Sequence, residues 1–234
     1  MYRFLEQEIS QEFETVRIFK KTEQKEILLV RHRTSHALFV VRRYTGSAEC
    51  YQALLGIKSD HLPRIYEAAS ENGRALVLEE YIEGDSVYEM LKDSCFSPHD
   101  TRMIALDVCR ALYTLHEHKI VHRDVKPENI ILRGNHAVLL DFDAARVIKE
   151  GESRDTRMLG TNGYAAPEQY GLSQTDGRTD IYALGVTINL MLTGTHPVVK
   201  LAGGRFRRII AKCTMVQPDD RYNDIIHLMR TLAK

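Results

Sequence analysis

The acidic and amide side chains between residues 124 and 141 are the part of the sequence best suited to chemistry. Asp124 and Asn129 lie in the stretch 122–129, and Asp141 follows after a short hydrophobic hairpin. Carboxylate and amide oxygens are ligands that Mg²⁺ accepts, and phosphate oxygens commonly complete its coordination. The spacing therefore indicates a place where a nucleoside triphosphate and its metal could be held.

A small antiparallel sheet is the first element expected to position these groups. In the N-terminal part, runs of β-branched and aromatic residues alternate with polar turns, and Asn72-Gly73 is a hairpin signal. We expect a short helix over 48–57 and strands over 13–19, 27–32, 37–44, 65–69 and 75–80.

Helices are expected beyond Gly84. Ser97 can cap a helix and Pro98 suits its first position. Residues 181–192 are apolar on nearly all sides and end at Gly194, which is typical of a buried helix. We therefore expect an α+β fold of one domain, with a β-rich lobe over about 1–82 and a helical lobe over about 83–234.

The composition excludes several classes of protein. The chain has 234 residues, 44% of them hydrophobic, so it can bury a core. Lys plus Arg and Asp plus Glu both number 32, so no net charge attracts it to nucleic acid or anionic lipid. No segment approaches the ~20 apolar residues of a membrane span. The four cysteines lack metal or disulfide spacing, so we expect a cytoplasmic protein with reduced thiols.

Four motifs resemble those of eukaryotic-type protein kinases, in that family's order and at roughly its intervals. They occupy residues 122–129, 141–143, 160–168 and 180–185. The sequence at 164–169 and the compact helical lobe make the resemblance closest to bacterial eukaryotic-like Ser/Thr kinases. The resemblance covers nearly the whole chain. It implies a two-lobed fold that transfers the γ-phosphoryl group of ATP, with Mg²⁺, to serine or threonine of a protein substrate.

The resemblance also implies roles for the residues of the helical lobe. Asp124 would orient the attacking hydroxyl, and Lys126 would contact the transferred phosphoryl group. Asn129 and Asp141 would hold Mg²⁺. Thr161, in the substrate loop, would bond the catalytic aspartate and lysine.

The ATP-binding residues implied by the resemblance lie in the N-terminal lobe. Arg42 stands where the family has the lysine that grips the α- and β-phosphates, and Glu49 is its expected helix partner. Adenine would lie against the segment 78–84. The Glu80 carbonyl and the Ile82 N–H would form the backbone pair.

Further matched residues would support or regulate the site. Glu168 and Arg221 match a buried ion pair of the family, and Asp180 matches the aspartate that braces the catalytic loop. Ser153 and Thr156 lie among arginines, so a phosphate on either could order this loop. A solvated loop without a phosphate is the alternative.

Several positions depart from the family pattern, so we expect slow or conditional catalysis. The turn 20–26 contains no glycine; its lysines could supply charge, or it could be a plain charged hairpin. Arg42 keeps a positive charge but not the shape of lysine. Asp143 replaces a glycine and could add a metal ligand or cap a turn. Glu79 could gate the back pocket or turn toward Arg42 or Arg43.

Two alternative functions follow from these departures. The first is a pseudokinase that senses nucleotide or docks protein. The second is a small-molecule phosphotransferase on the related fold, against which Lys126, Thr161 and the anchor 166–168 argue. A metal site at His116, His118 and His122 is disfavoured, because His122 already matches a structural position.

Overall fold

An antiparallel sheet of five strands dominates the first of two units into which the chain divides. The structure is a computed structural model that describes residues 1–149, 161, 163–171 and 175–234. The first unit contains 1–59 and 63–82. Its strands, in the spatial order β1-β2-β3-β5-β4, are β1 (Phe13–Lys21), β2 (Lys25–His32), β3 (Leu38–Thr45), β4 (Ile65–Glu71) and β5 (Arg74–Glu80).

A helix that the sequence did not predict packs on this sheet. Helix α1 (Tyr2–Glu12) buries Leu5 and Ile9, which lie one turn apart on the same face. Both side chains join the core cluster formed by apolar residues of the sheet, Leu28, Val30, Val41, Ala69, Leu76 and Leu78. The rest of α1 is mostly exposed, so packing of this narrow apolar stripe stabilises it.

The helix predicted over 48–57 in the first unit is shorter than expected. Helix α2 spans Glu49–Ala53, and Leu54 ends it. The predicted β4–β5 hairpin is confirmed. Asn72 and Gly73 both have positive φ, 52° and 73°, which is the conformation a tight hairpin turn needs.

The second unit contains 60–62 and 83–234 and is mainly helical. Its helices are α3 (Val87–Leu91), α4 (Pro98–Glu117), α5 (Gly177–Thr193), α6 (Gly204–Cys213) and α7 (Ile225–Ala233). Short strands form two small sheets, β6-β8-β9 and β10-β7, from β6 (Asp85–Ser86), β7 (Ile120–Val121), β8 (Ile130–Arg133), β9 (His136–Leu139) and β10 (Arg146–Val147). An antiparallel sheet in one unit and helices in the other confirm the predicted α+β class.

The ends of the two longest helices follow the sequence signals. The Ser97 hydroxyl accepts a hydrogen bond from the Asp100 N–H at 3.1 Å, and Pro98 is the first helical residue of α4. Helix α5 ends at Gly194, whose φ of 68° is left-handed. Among the helices of the described residues, none is both long and apolar enough to cross a bilayer. Three cysteines, Cys50, Cys109 and Cys213, are buried and Cys95 is exposed; none of the four forms a disulfide within the part of the chain that the structure describes.

Candidate functional site

A buried carboxylate fixes the backbone of the candidate catalytic loop. Asp180, near the start of α5, is fully buried and accepts hydrogen bonds from the N–H groups of His122 and Arg123 at 2.9 and 2.8 Å. Arg123 has a left-handed φ of 64°, which typically costs about 1–2 kcal/mol for a non-glycine residue. The bracing role predicted for Asp180 is confirmed, and it holds this strained residue in place.

The histidine of the same loop is a structural link. His122 is fully buried, and its Nε2 bonds the Leu140 carbonyl at 3.0 Å. Its Nδ1 accepts from the Asp124 N–H at 3.3 Å, so Nε2 carries the proton that is donated. His116 Nε2 lies 2.8 Å from Asp180. These contacts give both histidines structural partners around the catalytic loop.

Asp124 is the centre of a network that engages both of its carboxylate oxygens. Oδ1 accepts from the Thr161 hydroxyl at 2.7 Å, and Oδ2 accepts from the Asn129 amide at 3.0 Å. The ammonium group of Lys126 lies 2.7 Å from Oδ2 and donates to the Thr161 hydroxyl oxygen at 2.7 Å. The structure thus brings these four predicted site residues together. Their charges and donors hold the carboxylate in one orientation.

Asn129 and Asp141 are connected through the backbone of the hairpin. Asn129 ends a 3-10 turn, and its amide nitrogen donates to both the carbonyl and the carboxylate of Asp124. Since the nitrogen faces Asp124, the amide oxygen is the atom that can serve a cation. The Leu140 N–H donates to the Asn129 carbonyl at 2.8 Å, so Asp141 directly follows a residue bonded to Asn129. Oxygen donors of this kind fit Mg²⁺.

The left-handed residue of the predicted metal-binding motif is Asp141 and not Asp143. Asp141 has φ 69°, whereas Asp143 is absent from the described non-glycine residues with positive φ. Asp143 therefore does not adopt the unusual backbone angle that a glycine at this position would permit. The turn itself is capped by Asp141, whose Oδ1 lies 3.4 Å from the Asp143 N–H. Phe142 is buried and packs edge-on against His122, with ring centroids 5.5 Å apart.

The segment after Thr161 is anchored by a buried ion pair. Arg221 donates from both terminal nitrogens to the carboxylate oxygens of Glu168, at 2.6 and 2.8 Å. This confirms the predicted pair. Thr179 adds a third donor to Glu168 at 2.9 Å. The guanidinium also bonds three backbone carbonyls, those of Met215, Arg178 and Val216.

A further residue connects this segment to the catalytic loop. Gln169 donates to the Arg123 carbonyl at 2.9 Å and accepts from the Ala166 N–H at 3.0 Å. The sequence indicates Gln169 only as part of the motif at 164–169 and predicts no role for it. Tyr164 carries a pKa raised to about 12, mainly by burial and then by the negative charges of Glu128 and Asp124, so its phenol stays protonated.

In the first unit, the buried partner of Arg42 is Glu79. Nε of Arg42 lies 2.6 Å from Oε1 of Glu79, and the two side chains are 6% and 3% exposed. The conformation in which Glu79 turns toward a cation is therefore present. Glu49 is the first residue of α2, and its N–H donates to the Ser47 hydroxyl at 3.2 Å. Its pairing with Arg42 stays a prediction.

The remaining predicted features of the first unit lie at the end of β5 and in the turn between β1 and β2. Glu80 is the last residue of β5, and its side chain accepts from the Arg64 N–H at 3.0 Å; Ile82 follows and is buried. The glycine-free turn between β1 and β2 closes on itself, since Thr22 and Lys25 exchange backbone and side-chain hydrogen bonds. Of the two alternatives for the turn 20–26, these bonds fit the plain charged hairpin. The candidate phosphorylation sites Ser153 and Thr156 lie outside the described residues.

Known proteins similar to this chain include bacterial serine/threonine kinases. It is 35% identical to serine/threonine-protein kinase PknB of Mycolicibacterium smegmatis over 57% of its length and 29% identical to serine/threonine-protein kinase pkn2 of Myxococcus xanthus over 74%. It is 35% identical to serine/threonine-protein kinase D of Synechocystis over 62%. The matched regions are 22%, 22% and 29% of these relatives, so the chain spans less than a third of their length.

The same conclusion follows from a comparison with whole families. The family described as protein kinase domain matches residues 15–231, which include most of both units and every motif of the site. The resemblance drawn from the four motifs is thereby confirmed, and the chain belongs to the protein kinase domain family.

Proposed function

We propose that this chain is a protein serine/threonine kinase, which transfers the γ-phosphoryl group of ATP to a protein hydroxyl in the presence of Mg²⁺. The observation that carries the proposal is the network around Asp124, in which Thr161, Asn129 and Lys126 bind both carboxylate oxygens. A carboxylate held this way can accept a hydrogen bond from an incoming hydroxyl and orient it for attack. The names of the bacterial relatives support serine and threonine as the accepting residues.

Each remaining site residue has a proposed part in this reaction. Lys126 places a positive charge beside Asp124, where it can stabilise negative charge on the transferred group. Mg²⁺, when bound, would neutralise the charge of the phosphate groups. Asn129 and Asp141 are proposed to hold it through their oxygens. For ATP we propose Arg42, Glu49, Glu80 and Ile82, on the family resemblance.

Cellular and regulatory aspects belong to the same proposal. We place the activity in the cytoplasm, where ATP is available and where the buried thiols of Cys50, Cys109 and Cys213 stay reduced. Slow turnover is expected because Arg42 replaces a lysine and the β1–β2 turn has no glycine. Losing one well-placed electrostatic donor typically reduces a rate about a hundredfold or more. Phosphorylation of Ser153 or Thr156 is proposed as the activating step.

The test is incorporation of the γ-phosphoryl group of labelled ATP into the chain itself and into a degenerate Ser/Thr peptide library. We expect Mg²⁺-dependent labelling that Asp124→Asn lowers by about 10²–10⁴-fold, since positioned proton transfer contributes that much. The control Asp93→Asn changes an exposed acid outside the network and should leave labelling unchanged. Asp141→Asn should abolish the Mg²⁺ dependence of ATP binding.

A pseudokinase is the second candidate, favoured by the buried engagement of Arg42 with Glu79 and by the self-bonded β1–β2 turn. It predicts no labelling above that of Asp124→Asn. A thermal-shift titration with ATP separates the two candidates further. Stabilisation that requires Mg²⁺ supports the kinase, whereas stabilisation without Mg²⁺, or none, supports the pseudokinase.

A further inference from the structure

Two histidines and one aspartate meet on the second unit, away from the residues assigned to phosphoryl transfer. His61 precedes the first unit's β4, Asp107 lies in the middle of α4, and His136 begins β9. One ligand atom from each lies within 4.8 Å of the others. We propose that His61, Asp107 and His136 bind one divalent transition-metal ion, with Zn²⁺ as the best fit.

The distances suit an intervening ion better than direct ion pairs. His61 Nε2 lies 3.8 Å from Asp107 Oδ1, and His136 Nδ1 lies 3.9 Å from Oδ2. A charged histidine bonded directly to a carboxylate would approach to about 2.7–2.9 Å. Ligand atoms around a tetrahedral Zn²⁺, with bonds of about 2.0–2.1 Å, lie about 3.4 Å apart. The separations of 3.8 and 3.9 Å are close to this value. The side chain of His136 is 62% exposed, so it can turn toward Asp107.

The orientation of His61 matches that of a metal ligand. Its Nδ1 lies 3.1 Å from the Ala137 carbonyl, and its own carbonyl accepts from the Leu139 N–H at 2.9 Å. Nδ1 therefore carries the proton, and Nε2, which faces Asp107, keeps the lone pair of the neutral ring. Metal-binding histidines commonly donate their other N–H to a backbone carbonyl in this way, which fixes the ring.

Asp107 has coordination capacity left for an ion. It is buried, and its carboxylate accepts from the Ala137 N–H at 2.9 Å and from Arg110. A carboxylate offers about four lone-pair positions, so these two donors leave some unused. The side chain of Arg110 is 48% exposed and can move toward solvent when an ion enters.

The donor set selects the metal. Imidazole nitrogens favour Zn²⁺, Cu²⁺ or Ni²⁺, whereas Mg²⁺ and Ca²⁺ prefer oxygen ligands. The site is therefore distinct in chemistry from the oxygen donors of Asn129 and Asp141. It joins three segments that are far apart in the chain, so a bound ion should stabilise the fold.

Calorimetric titration of the chelator-treated full chain with ZnCl₂ tests the proposal. Saturating Mg²⁺ in the buffer occupies oxygen-donor sites, and a Cys95→Ser background removes the exposed thiol. We expect one Zn²⁺ per chain, a raised melting temperature, and visible absorption of a tetrahedral centre when Co²⁺ replaces Zn²⁺. His136→Ala should weaken binding at least about 100-fold, more than is typical for losing a supporting residue. Since this side chain is exposed, the fold should persist.

Two further variants make the result decisive. Arg110→Gln removes the competing cation and should tighten Zn²⁺ binding, an effect that a purely structural Asp107 does not predict. The control His118→Ala deletes another exposed histidine and should change nothing. The proposal is overturned if the wild-type chain binds no Zn²⁺, or if His136→Ala binds as tightly as His118→Ala. Neither readout depends on phosphoryl transfer.

Discussion

Nε of Arg42 and Oε1 of Glu79 form a buried ion pair at 2.6 Å between β3 and β5. Arg42 lies opposite Val77 in the register and Val40 lies opposite Glu79, so the pair is diagonal on one face of the sheet. Removing one partner of a buried pair leaves the other charge desolvated and uncompensated. The pair therefore couples the position that the family uses for phosphate binding to the stability of the sheet.

Glu79→Gln should lower the free energy of unfolding by about 3–5 kcal/mol, measured by guanidinium denaturation. The double variant Arg42→Met/Glu79→Leu should recover most of this loss, because an apolar pair avoids the desolvation cost. Glu14→Gln breaks the exposed pair with Arg31, at 3.3 Å in the same sheet, and should cost less than about 1 kcal/mol. Equal effects of Glu79→Gln and Glu14→Gln would contradict this account.

The sheet of the first unit was predictable because local signals specify it. Runs of strand-forming residues alternate with polar turns. Asn72 and Gly73 are residue types that favour the left-handed turn conformation, and both adopt it. Helix α1 was not predicted, since only Leu5 and Ile9 give it an apolar stripe, and this stripe is meaningful only once the core cluster exists. Tertiary packing, which no local pattern encodes, decides that helix.

The candidate site likewise contains contacts that the sequence predicted and contacts that it could not. The motifs predicted that Asp124, Lys126, Asn129 and Thr161 belong together, and the hydrogen bonds among them join all four. The sequence left open whether Glu79 turns toward Arg42 or Arg43, and the pairing with Arg42 depends on the register of β3 and β5, which spacing along the chain cannot reveal. The cluster of His61, Asp107 and His136 has no motif at all. It exists because one helix, one strand and one loop meet.

Thr161 bridges the two charged groups of the proposed catalytic centre, and its hydroxyl is the group that matters. Thr161→Ala should reduce the phosphorylation rate about 10–100-fold, because hydrogen bonds to charged groups are worth about 1.5–3 kcal/mol. Thr161→Ser keeps the hydroxyl and should retain most of the activity. Labelled ATP and a Ser/Thr peptide substrate give the measurement. A serine variant as slow as the alanine variant would show that the methyl group, rather than the bridge, is needed.

Restoring the family's glycine at position 143 should not raise activity. Asp143 does not have a positive φ, so glycine relieves no strain there and only makes the unfolded chain more flexible. Asp143→Gly should lower the free energy of unfolding by about 0.5–1 kcal/mol without a gain in rate. His36→Gly is the matched comparison, because His36 is exposed with φ 59° and should gain or keep stability. An Asp143→Gly variant that is both faster and more stable would refute this explanation.

A substitution in the pair of Glu168 and Arg221 tests whether the geometry of the guanidinium group holds the segment after Thr161 in place. Both residues are buried, and Arg221 makes two parallel bonds to Glu168 while it donates to three backbone carbonyls. Lysine keeps the charge but cannot form the two-pronged contact. Arg221→Lys should therefore lower the free energy of unfolding by about 3 kcal/mol or more, measured by chemical denaturation.

The control for this substitution is an ion pair of similar length at the surface. Arg178 lies 2.5 Å from Asp219, whose side chain is 91% exposed, so solvent screens the attraction. Asp219→Asn should change the free energy of unfolding by less than about 1 kcal/mol. If Arg221→Lys were equally mild, the geometry of the buried contact would contribute little, and the segment would have to be held by the carbonyl bonds and by Gln169 instead.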